Sequence, residues 1–290
     1  MKTLTRVAEM QVAASGARAL GKRLGFVPTM GALHEGHLSL VRRAKQDTDL
    51  TVVSIFVNPA QFGPSEDYLN YPRDLERDSG LLRGEGVDFL FAPPVEEIYP
   101  SDFQTCVAVE RLSTPLEGQF RPGYFRGVAT VVLKLFNIVQ PHLAYFGQKD
   151  AQQCRVIQQL VRDLKLPVEI VICPIVREPD GLAMSSRNTY LSTEERQTAL
   201  VLYKSLGRAR ELIQAGERRP AEIVREMRQL IEQEPRARID YVALVDAATL
   251  EPLECVDGTV LIALAVWIGR ARLLDNLLIE ERDGRFTFQF

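Results

Sequence analysis

The chain has 290 residues, of which 46% are hydrophobic and 25% are charged, and its formal net charge at pH 7 is -3. These values are typical of a folded globular protein and exclude a disordered or fibrous chain, and the length suits two unequal domains. Because the chain has no basic excess, we expect small-molecule partners and no nucleic acid.

Neither the cysteines nor the apolar segments indicate an extracellular or membrane protein. The four cysteines are scattered without a CxxC spacing, which disfavours a zinc site and a disulfide framework and favours a reducing compartment. The N-terminal residues lack an apolar leader, and the longest apolar run, residues 260–268, is about half of what spans a bilayer. We therefore expect a cytoplasmic protein without membrane contact.

Apolar spacing in the first part of the chain alternates between strand and helix patterns. The run TVVSIFV, residues 51–57, is typical of a strand buried on both faces of a parallel sheet. In chain order we predict helix 3–22, strand 24–27, helix 34–45, strand 51–57, a long polar loop to residue 71, helix 72–83, strand 87–93, helix 125–139, strand 142–147, helix 150–164 and strand 167–173. This alternation predicts an α/β fold with a Rossmann-like parallel sheet and helices on both faces.

The pattern changes after residue 176. The remaining elements are two predicted helices and three predicted strands, at 193–216, 220–233, 239–245, 260–267 and 273–279. Helices followed by strands indicate a smaller C-terminal α+β domain. We therefore predict a division into domains 1–176 and 177–290.

The string PTMGALHEGH lies between a predicted strand and a predicted helix, and it contains two of the three histidines of the chain. In an open α/β sheet, ligands bind beyond the carboxyl ends of the strands, where a helix N-terminus attracts phosphate. His34 and His37 share one helix face, Gly36 leaves room between them, and Gly31 allows close backbone approach. Both histidines suit stabilisation of charge on a phosphoryl group. The alternatives are helix-capping or surface histidines, or a zinc site.

Two further strings carry groups that suit a phosphate. In FGQKDAQQ, Lys149 can reach phosphates from a strand-to-helix junction, while Asp150 is expected to cap the helix; an exposed lysine is the alternative. In MSSRN, two hydroxyls and the guanidinium of Arg187 suit a mobile loop that grips phosphates, hinged at the preceding Asp180 and Gly181.

The string NPAQFG supplies amides rather than charges. The side chains of Asn58 and Gln61 can hydrogen-bond hydroxyls and carboxylates. Ordinary turn chemistry is the alternative interpretation.

These strings together carry a family resemblance. HEGH resembles the HxGH signature of the nucleotidyltransferase superfamily, which includes class I aminoacyl-tRNA synthetases. PTMGALHEGH, SIFVNPAQFGPSEDYLNYPRD, YFGQKDAQQ and REPDGLAMSSRNTYLS occur in the order seen in the pantoate–β-alanine ligase (pantothenate synthetase) family. The resemblance covers essentially the whole chain.

The resemblance implies ATP-dependent ligation of (R)-pantoate and β-alanine to pantothenate, with AMP and pyrophosphate as products, through a pantoyl-adenylate. It implies ATP as co-substrate, Mg²⁺, a homodimer, and closure of the smaller domain and the MSSRN loop over the intermediate. His37, His34 and Lys149 are the implied catalytic residues. Pantoate is expected at Gln61 and Gln153, with Gln61 also near β-alanine, and Asn58 is a further substrate-binding residue. The string MSSRN corresponds to the KMSKS loop of related synthetases. ATP is expected on Met30, Gly31, Ala32, Leu33, His34, Glu35, Gly36 and His37, on Gly147, Gln148, Lys149 and Asp150, and on Val176, Met184, Ser185, Ser186 and Arg187.

Some positions depart from the family pattern. An acidic residue is expected where Arg77 stands, which leaves Asp78 as the predicted magnesium ligand, ahead of Asp74 and Glu76. Ala151 replaces a bulky aromatic and Tyr124 replaces a histidine, and we expect both to alter packing and not chemistry. Around PGYF, Arg121 and Arg126 are expected to add positive charge.

Three other functions fit parts of the pattern. An adenylyltransferase would pass AMP to a phosphate ester and stop, a nucleotide sensor would bind without catalysis, and a synthetase would bind tRNA. The set of basic groups disfavours the sensor, since binding alone does not require stabilisation of transition-state charge. The short chain and the missing basic surface disfavour tRNA binding.

Overall fold

The computed structural model describes residues 1–63 and 68–290 of the chain, which divides into two compact units. The N-terminal unit comprises residues 1–114, 121–148 and 153–173, and the C-terminal unit comprises residues 115–120, 149–152 and 174–290. The predicted boundary at residue 176 lies just beyond the end of the N-terminal unit. Two short segments that the prediction placed in the first domain, 115–120 and 149–152, group with the C-terminal unit.

A six-stranded parallel sheet forms the centre of the N-terminal unit. Its strands are β1 Lys2–Leu4, β2 Leu24–Thr29, β3 Leu50–Ile55, β4 Phe89–Phe91, β5 Leu143–Gly147 and β6 Glu169–Cys173. They lie in the order β1-β4-β3-β2-β5-β6, and all neighbours are parallel. The order changes direction between β2 and β5, and ligands of such sheets bind beyond the carboxyl ends of the strands at this point.

Helices cover both faces of this sheet, as the sequence predicts. The helices up to residue 173 are α1 Val7–Ala19, α2 Glu35–Asp47, α3 Leu75–Gly84, α4 Val95–Ile98, α5 Glu117–Phe120, α6 Tyr124–Val139 and α7 Ala151–Leu164. Successive residues of β2 point to opposite faces. A Cβ on Gly25 would meet Thr48 Oγ1 at 2.6 Å beside α2, whereas the ring of Phe26 packs 6.4 Å from that of Phe136 on α6. The α/β prediction is therefore confirmed.

The first predicted helix was wrong at its N-terminal end. Residues 2–4 form the edge strand β1, paired with Phe89–Phe91, and α1 begins only at Val7. The side chain of Leu4 is 2% exposed, so its burial against the sheet outweighs the helical spacing of three residues. The predicted polar loop to residue 71 includes residues 64–67, which lie outside the described residues.

The C-terminal unit contains a four-stranded antiparallel sheet and two long helices. The helices are α8 Thr193–Gln214 and α9 Pro220–Glu232, and the strands are β7 Ala237–Asp246, β8 Thr259–Ile268, β9 Ala271–Arg282 and β10 Arg285–Gln289, in the order β10-β9-β8-β7. The α+β prediction is confirmed, although the last strand was missed. The capping box of Ser192 and Glu195 starts α8, and the two helices cover apolar residues of the sheet in one buried cluster.

None of the helices described by the structure is both long and apolar enough to cross a membrane.

Candidate active site

The connection from β2 to α2 is a tight turn that only certain residues can form. Gly31 has φ +83° and Ala32 has φ +51°, a left-handed region that disfavours side chains. A Cβ on Gly31 would lie 3.1 Å from both Asp78 Oδ2 and Ile55 Cγ2. The hydroxyl of Thr29 donates to Ser54 O at 2.7 Å and accepts from Gly31 N at 3.2 Å. The turn is therefore fixed to the sheet just before the histidine motif.

The two histidines of this motif cap α2. His34 Nδ1 accepts a hydrogen bond from Gly36 N at 3.2 Å, and His37 Nδ1 accepts one from His34 N at 3.4 Å. The capping alternative raised by the sequence is thus present in the structure. It does not exclude a second role, because an accepting Nδ1 places the proton of a neutral imidazole on Nε2. Both rings, with centroids 4.1 Å apart, therefore have Nε2 as their N–H donor at a helix N-terminus.

A charged pair on α3 holds the backbone that precedes the histidines. Asp78 is 1% exposed, and its Oδ1 accepts from Leu33 N at 2.9 Å and from Arg77 Nη1 at 3.1 Å. Arg77 Nη2 donates to Leu33 O at 3.0 Å, so the peptide groups of Leu33 are bound from both sides. The side chain of Leu33 lies in the apolar core.

The surroundings of Asp78, the predicted magnesium ligand, do not fit that ion. Mg²⁺ demands octahedral oxygen coordination and keeps several waters, but Oδ2 of Asp78 is fully buried and lies beside Gly31. Oδ1 is already bound to Arg77, a fixed positive charge. Across residues 1–63 and 68–290, no group of three or more His, Cys, Asp or Glu side chains could hold a metal.

The string NPAQ forms a 3-10 turn, Pro59–Gln61, that presents a buried amide. Asn58 caps the turn by accepting from Ala60 N at 3.2 Å. Its Nδ2 donates to Gln61 Oε1 at 2.9 Å and to Gly127 O at 3.1 Å. Since Oε1 of Gln61 accepts this bond, Nε2 is the donor side of its amide. Asn58 thus plays the ordinary turn role that was the alternative interpretation, and it also orients the amide donor of Gln61.

The two glutamines predicted to hold pantoate belong to one hydrogen-bonded cluster of the N-terminal unit. Arg121 donates to Gln61 O at 3.1 Å, and its guanidinium stacks 3.7 Å above the ring of Tyr124. The hydroxyl of Tyr124 donates to Gln153 Oε1 at 3.2 Å. Both glutamines are thus anchored through oxygens and keep Nε2 as a donor. Tyr124 thus has a polar contact with a predicted substrate residue in addition to its packing, and whether it alters the chemistry stays a prediction.

A cavity of about 480 Å³ opens beside this cluster within the N-terminal unit. Its wall includes Gln61, Arg121, Arg126 and Tyr124 together with the aromatic Tyr99. Burial raises the pKa of Tyr99 to about 12, so its phenol stays neutral at pH 7. The cavity therefore combines the amide of Gln61 and arginine charge with apolar walls, which suits a small hydroxy or amino acid.

In the C-terminal unit, the predicted phosphate lysine is half-buried. Lys149 Nζ lies 3.4 Å from Asp150 Oδ1, and the side chain of Lys149 is 22% exposed. The main chain of Lys149 is bound to β9, since Asn276 Nδ2 donates to Lys149 O at 3.0 Å. Asp150 therefore pairs with Lys149 in this structure. Gly147 ends β5, and Gln148 follows it as the last residue of this segment in the N-terminal unit.

The serine loop, residues 184–190, is attached to a short hairpin. Met184 N donates to Val176 O at 3.0 Å, and the hydroxyl of Ser185 caps the following 3-10 turn, Ser186–Tyr190, by accepting from Arg187 N at 3.3 Å. All the predicted ATP residues of this segment are half-buried. The loop is therefore ordered by its own backbone contacts.

Two acidic side chains fix the hairpin. Arg196 Nη2 donates to Glu178 at 2.7 Å and to Asp180 at 2.8 Å, and this contact lowers the pKa of Asp180. Asn188 Nδ2 also donates to Glu178 Oε1 at 3.0 Å. Sequence reasoning named Asp180 only as a hinge of the loop and missed these contacts, because spacing in an irregular segment does not show which side chains meet.

A second missed group lies on β9. Asp275 forms a two-pronged ion pair with Arg177, with both distances at 2.8 Å. Burial raises the pKa of Asp275, and the hydrogen bonds and charge of Arg177 oppose that rise. The signal available in the sequence was the pair Asp275-Asn276 inside the apolar strand LLDNLLI, since charged residues are rarely buried unless paired.

Glu35, one of the predicted ATP contacts, points to the outer face of α2. Glu35 is exposed and forms an ion pair with Arg42, which also binds Glu85. Its carboxylate therefore serves the outer face of α2 in this structure.

Comparison with known proteins places the whole chain in one group. The sequence model of the pantoate-beta-alanine ligase family matches residues 2–278. The chain is 57% identical over 282 residues to the pantothenate synthetase of Caldicellulosiruptor bescii, covering 97% of this chain and 100% of that one. It is 58% identical over 279 residues to the pantothenate synthetase of Thermotoga petrophila, covering 96% and 100%.

Solved structures give the same grouping. The pantothenate synthetase of Thermus thermophilus has 51% identity and a TM-score of 0.91, covering 96% of this chain and 99% of that one. The pantoate-beta-alanine ligase of Francisella tularensis, complexed with beta-gamma ATP and beta-alanine, has 35% identity and a TM-score of 0.77, covering 96% and 97%.

Proposed function

The chain belongs to the pantoate-beta-alanine ligase family, and we propose that it joins pantoate to β-alanine at the expense of ATP, with AMP and pyrophosphate as products. The observation that carries this proposal is the pair of capping histidines. Their Nδ1 atoms accept from the backbone, which presents two Nε2 donors at the end of β2. A helix N-terminus with two added donors is a site for a phosphate.

In the first step, an oxygen of the pantoate carboxylate attacks the α-phosphorus of ATP and pyrophosphate leaves. A carboxylate is already nucleophilic, so no protein nucleophile is required, and the protein contributes alignment and charge stabilisation. His34 and His37 donate to phosphate oxygens. Lys149 and Arg187 add positive charge, and Ser185 and Ser186 add hydroxyl donors.

Pantoate is held by the amide cluster of the N-terminal unit. The Nε2 donors of Gln61 and Gln153 bind its carboxylate and hydroxyl oxygens, and Asn58 fixes the amide of Gln61 by the 2.9 Å bond. Neutral donors suit this role, because they bind the carboxylate without suppressing its nucleophilicity as a bidentate arginine would. The remaining predicted ATP residues, Met30 and Val176 among them, line the nucleotide.

In the second step, the amine of β-alanine attacks the carbonyl carbon of the adenylate. A C–N bond forms, the C–O bond to AMP breaks, and the amine loses a proton. AMP leaves with the oxygen that pantoate supplied. Keeping water away from the adenylate is necessary until the amine arrives, and we propose closure of the serine loop as the means.

Three further predictions stand beside this proposal. We place no magnesium on Asp78, for the reasons given above; a Mg²⁺ that accompanies ATP would bind chiefly its phosphates and waters.

The homodimer is a proposal from family membership, and light scattering should then give twice the chain mass of 32.6 kDa. The cytoplasmic location is likewise a proposal, which a tagged chain expressed in its own organism would test.

The proposal is tested by a product assay with ATP, pantoate and β-alanine in which each is omitted in turn. All three should be needed for pantothenate. Without β-alanine, pyrophosphate should appear at no more than about one equivalent per chain, because the adenylate stays bound. AMP formation that ignores pantoate would overturn the proposal, and transfer of AMP to a phosphate ester would favour an adenylyltransferase.

A further inference from the structure

Strand β9 contains two polar residues in an otherwise apolar stretch. Asp275 and Asn276 are each 2% exposed, and successive strand residues point to opposite faces of the sheet. The face of Asp275 carries Leu273 and Leu277, which belong to the apolar cluster under α8 and α9. Burying polar groups there is costly unless they are bonded, so their partners show what the positions do.

The side chain of Asn276 binds the main-chain carbonyl of Lys149, the lysine predicted to contact phosphate. Its Nδ2 donates to Lys149 O at 3.0 Å across a sequence separation of 127 residues. Its own N donates to Asp275 Oδ1 at 2.8 Å. The segment 149–152 is held to the same strand a second time, because Gln152 accepts from Glu117 N at 3.1 Å and Glu117 forms a two-pronged ion pair with Arg272.

Asp275 binds the other predicted phosphate segment. Arg177 bridges Asp275 and the turn before the serine loop, since its Nη1 also donates to Gly181 O at 2.9 Å. That turn packs closely on α8 and leaves no room for a side chain, because a Cβ on Gly181 would lie 2.3 Å from the ring of Tyr203. The guanidinium of Arg177 lies 4.8 Å from the centre of the same ring.

We propose that Asp275 and Asn276 are positioning residues that hold Lys149 and the turn before the serine loop on one strand, so that Lys149 and the closed loop reach the same phosphate chain together. The inference rests on the proposed function, because it assumes that Lys149 acts in pyrophosphate release. Neither residue touches substrate in this account. They act through the backbone of Lys149 and through Arg177.

A double-mutant cycle tests the inference on the full chain. Asn276→Leu keeps a branched side chain of similar size but removes the donor to Lys149 O. Single-turnover pyrophosphate release with ATP and pantoate should slow by about 10-fold, as expected for a displaced catalytic group. In the Lys149→Ala background, Asn276→Leu should slow pyrophosphate release by less than about twofold, since the effects of substitutions at residues that act as a unit are not additive. Attack of β-alanine on preformed adenylate should keep its rate.

Ser205→Ala is the matched control, because Ser205 is fully buried and its hydroxyl donates to Leu202 O at 2.7 Å within α8. It should lower stability and leave pyrophosphate release unchanged. If it slows release as much as Asn276→Leu, general destabilisation accounts for the effect and the inference is overturned.

A second variant covers the case in which Asn276→Leu does not fold. Arg177→Lys keeps the charge but not the planar fork that binds Asp275 and Gly181 at once. It should slow pyrophosphate release by about 10-fold and be non-additive with Arg187→Ala. Additive losses in both cycles overturn the inference while the proposed function stands. A Lys149→Ala variant with normal release overturns the inference and the role of Lys149 together, and a wild-type chain that releases no pantoate-dependent pyrophosphate overturns the proposed function as well.

Discussion

His34 and His37 receive their orienting hydrogen bonds from backbone groups no more than three residues away, whereas the carbonyl of Lys149 is bound by a side chain 127 residues away. The same contrast separates Asn58 and Gln61, which orient each other within one turn, from the ion pair of Arg177 with Asp275, 98 residues apart. The histidine motif and the NPAQ turn of the N-terminal unit thus orient their own side chains with neutral hydrogen bonds. In the C-terminal unit, side chains that are distant along the chain, including the buried ion pair of Arg177 and Asp275, hold Lys149 and the turn before the serine loop.

This difference indicates which substitutions should affect catalysis without affecting the fold. A change that keeps a local cap but removes an outward donor should impair chemistry and spare the fold. A change in the distant charges should affect stability with a dependence on pH. The following predictions are ways to break or sharpen this contrast.

The largest effect is expected at His37. In His37→Asn, the amide oxygen can replace Nδ1 as cap acceptor, but nothing replaces Nε2. Pyrophosphate release should fall by about 10²- to 10³-fold, the loss typical of one missing charge-stabilising donor, while the melting temperature stays close to that of the unaltered chain. His37→Gln, whose amide nitrogen reaches towards the place of Nε2, should lose less.

Arg43→Gln on the outer face of α2, where Arg43 pairs with Asp47, is the control and should keep full activity. Near-normal release by His37→Asn would mean that the histidines only cap the helix.

Next in size is the close contact of α6 with the NPAQ turn. A Cβ on Gly127 would lie 2.1 Å from Ala60 O, so Gly127→Ala should cost about 1–3 kcal/mol in the free energy of unfolding and raise KM for pantoate by moving Gln61. Urea denaturation and steady-state kinetics measure the two effects. Gly207→Ala in α8, where no atom lies within 4 Å of the added Cβ, should instead stabilise by about 0.5–1 kcal/mol. The same sign for both variants would contradict the packing argument.

A smaller effect is expected from Tyr124→Phe. It removes the hydroxyl that donates to Gln153 Oε1 and keeps the ring under Arg121. A single hydrogen bond contributes about 0.5–1.5 kcal/mol, so KM for pantoate should rise by about 2- to 10-fold with little change in KM for ATP. An equal rise in both constants would show that Gln153 is not specific to pantoate.

The smallest effect concerns the hairpin of the C-terminal unit and depends on pH. The hydrogen bond from Arg196 lowers the pKa of Asp180 below its ordinary value of 3.8, so its contribution to stability is present above that value and is lost as pH falls through the lowered pKa. Because Asp180 is 39% exposed, solvent screening limits the contribution to less than about 1 kcal/mol. Asp180→Asn should therefore lower the melting temperature slightly at pH 7, and this difference should shrink as pH falls through the lowered pKa. A larger loss at pH 2 would reverse the sign of the argument.

The sequence predicted those parts of the molecule that depend on neighbours along the chain. The α/β alternation, the strand before PTMG and the helix after HEGH follow from apolar periodicity and turn residues. Residues 2–4 could not be assigned, because only pairing with β4 distinguishes so short a strand from a helix start. The strand β10 was missed for a similar reason, since its five residues depend on pairing with β9.

Within the site, the histidines, Asn58 and Gln61 could be chosen from their motifs, but their hydrogen-bond roles could not. The hydrogen bond from Tyr124 to Gln153 was missed because it requires α6 and α7 to be neighbours in space. Asp78 was predicted as a metal ligand because Arg77 stands where the family pattern has an acidic residue, and the structure shows a buried carboxylate bound to Leu33 N and Arg77.

The central claim is that the pantoate carboxylate attacks the α-phosphorus at the histidine site, and the most direct test follows its oxygen. With pantoate labelled by ¹⁸O in both carboxylate oxygens, ligation in unlabelled water should yield AMP with one ¹⁸O atom and pantothenate with the other. Unlabelled AMP together with ¹⁸O in pyrophosphate or orthophosphate would contradict an adenylate intermediate and the phosphate role assigned to His34 and His37.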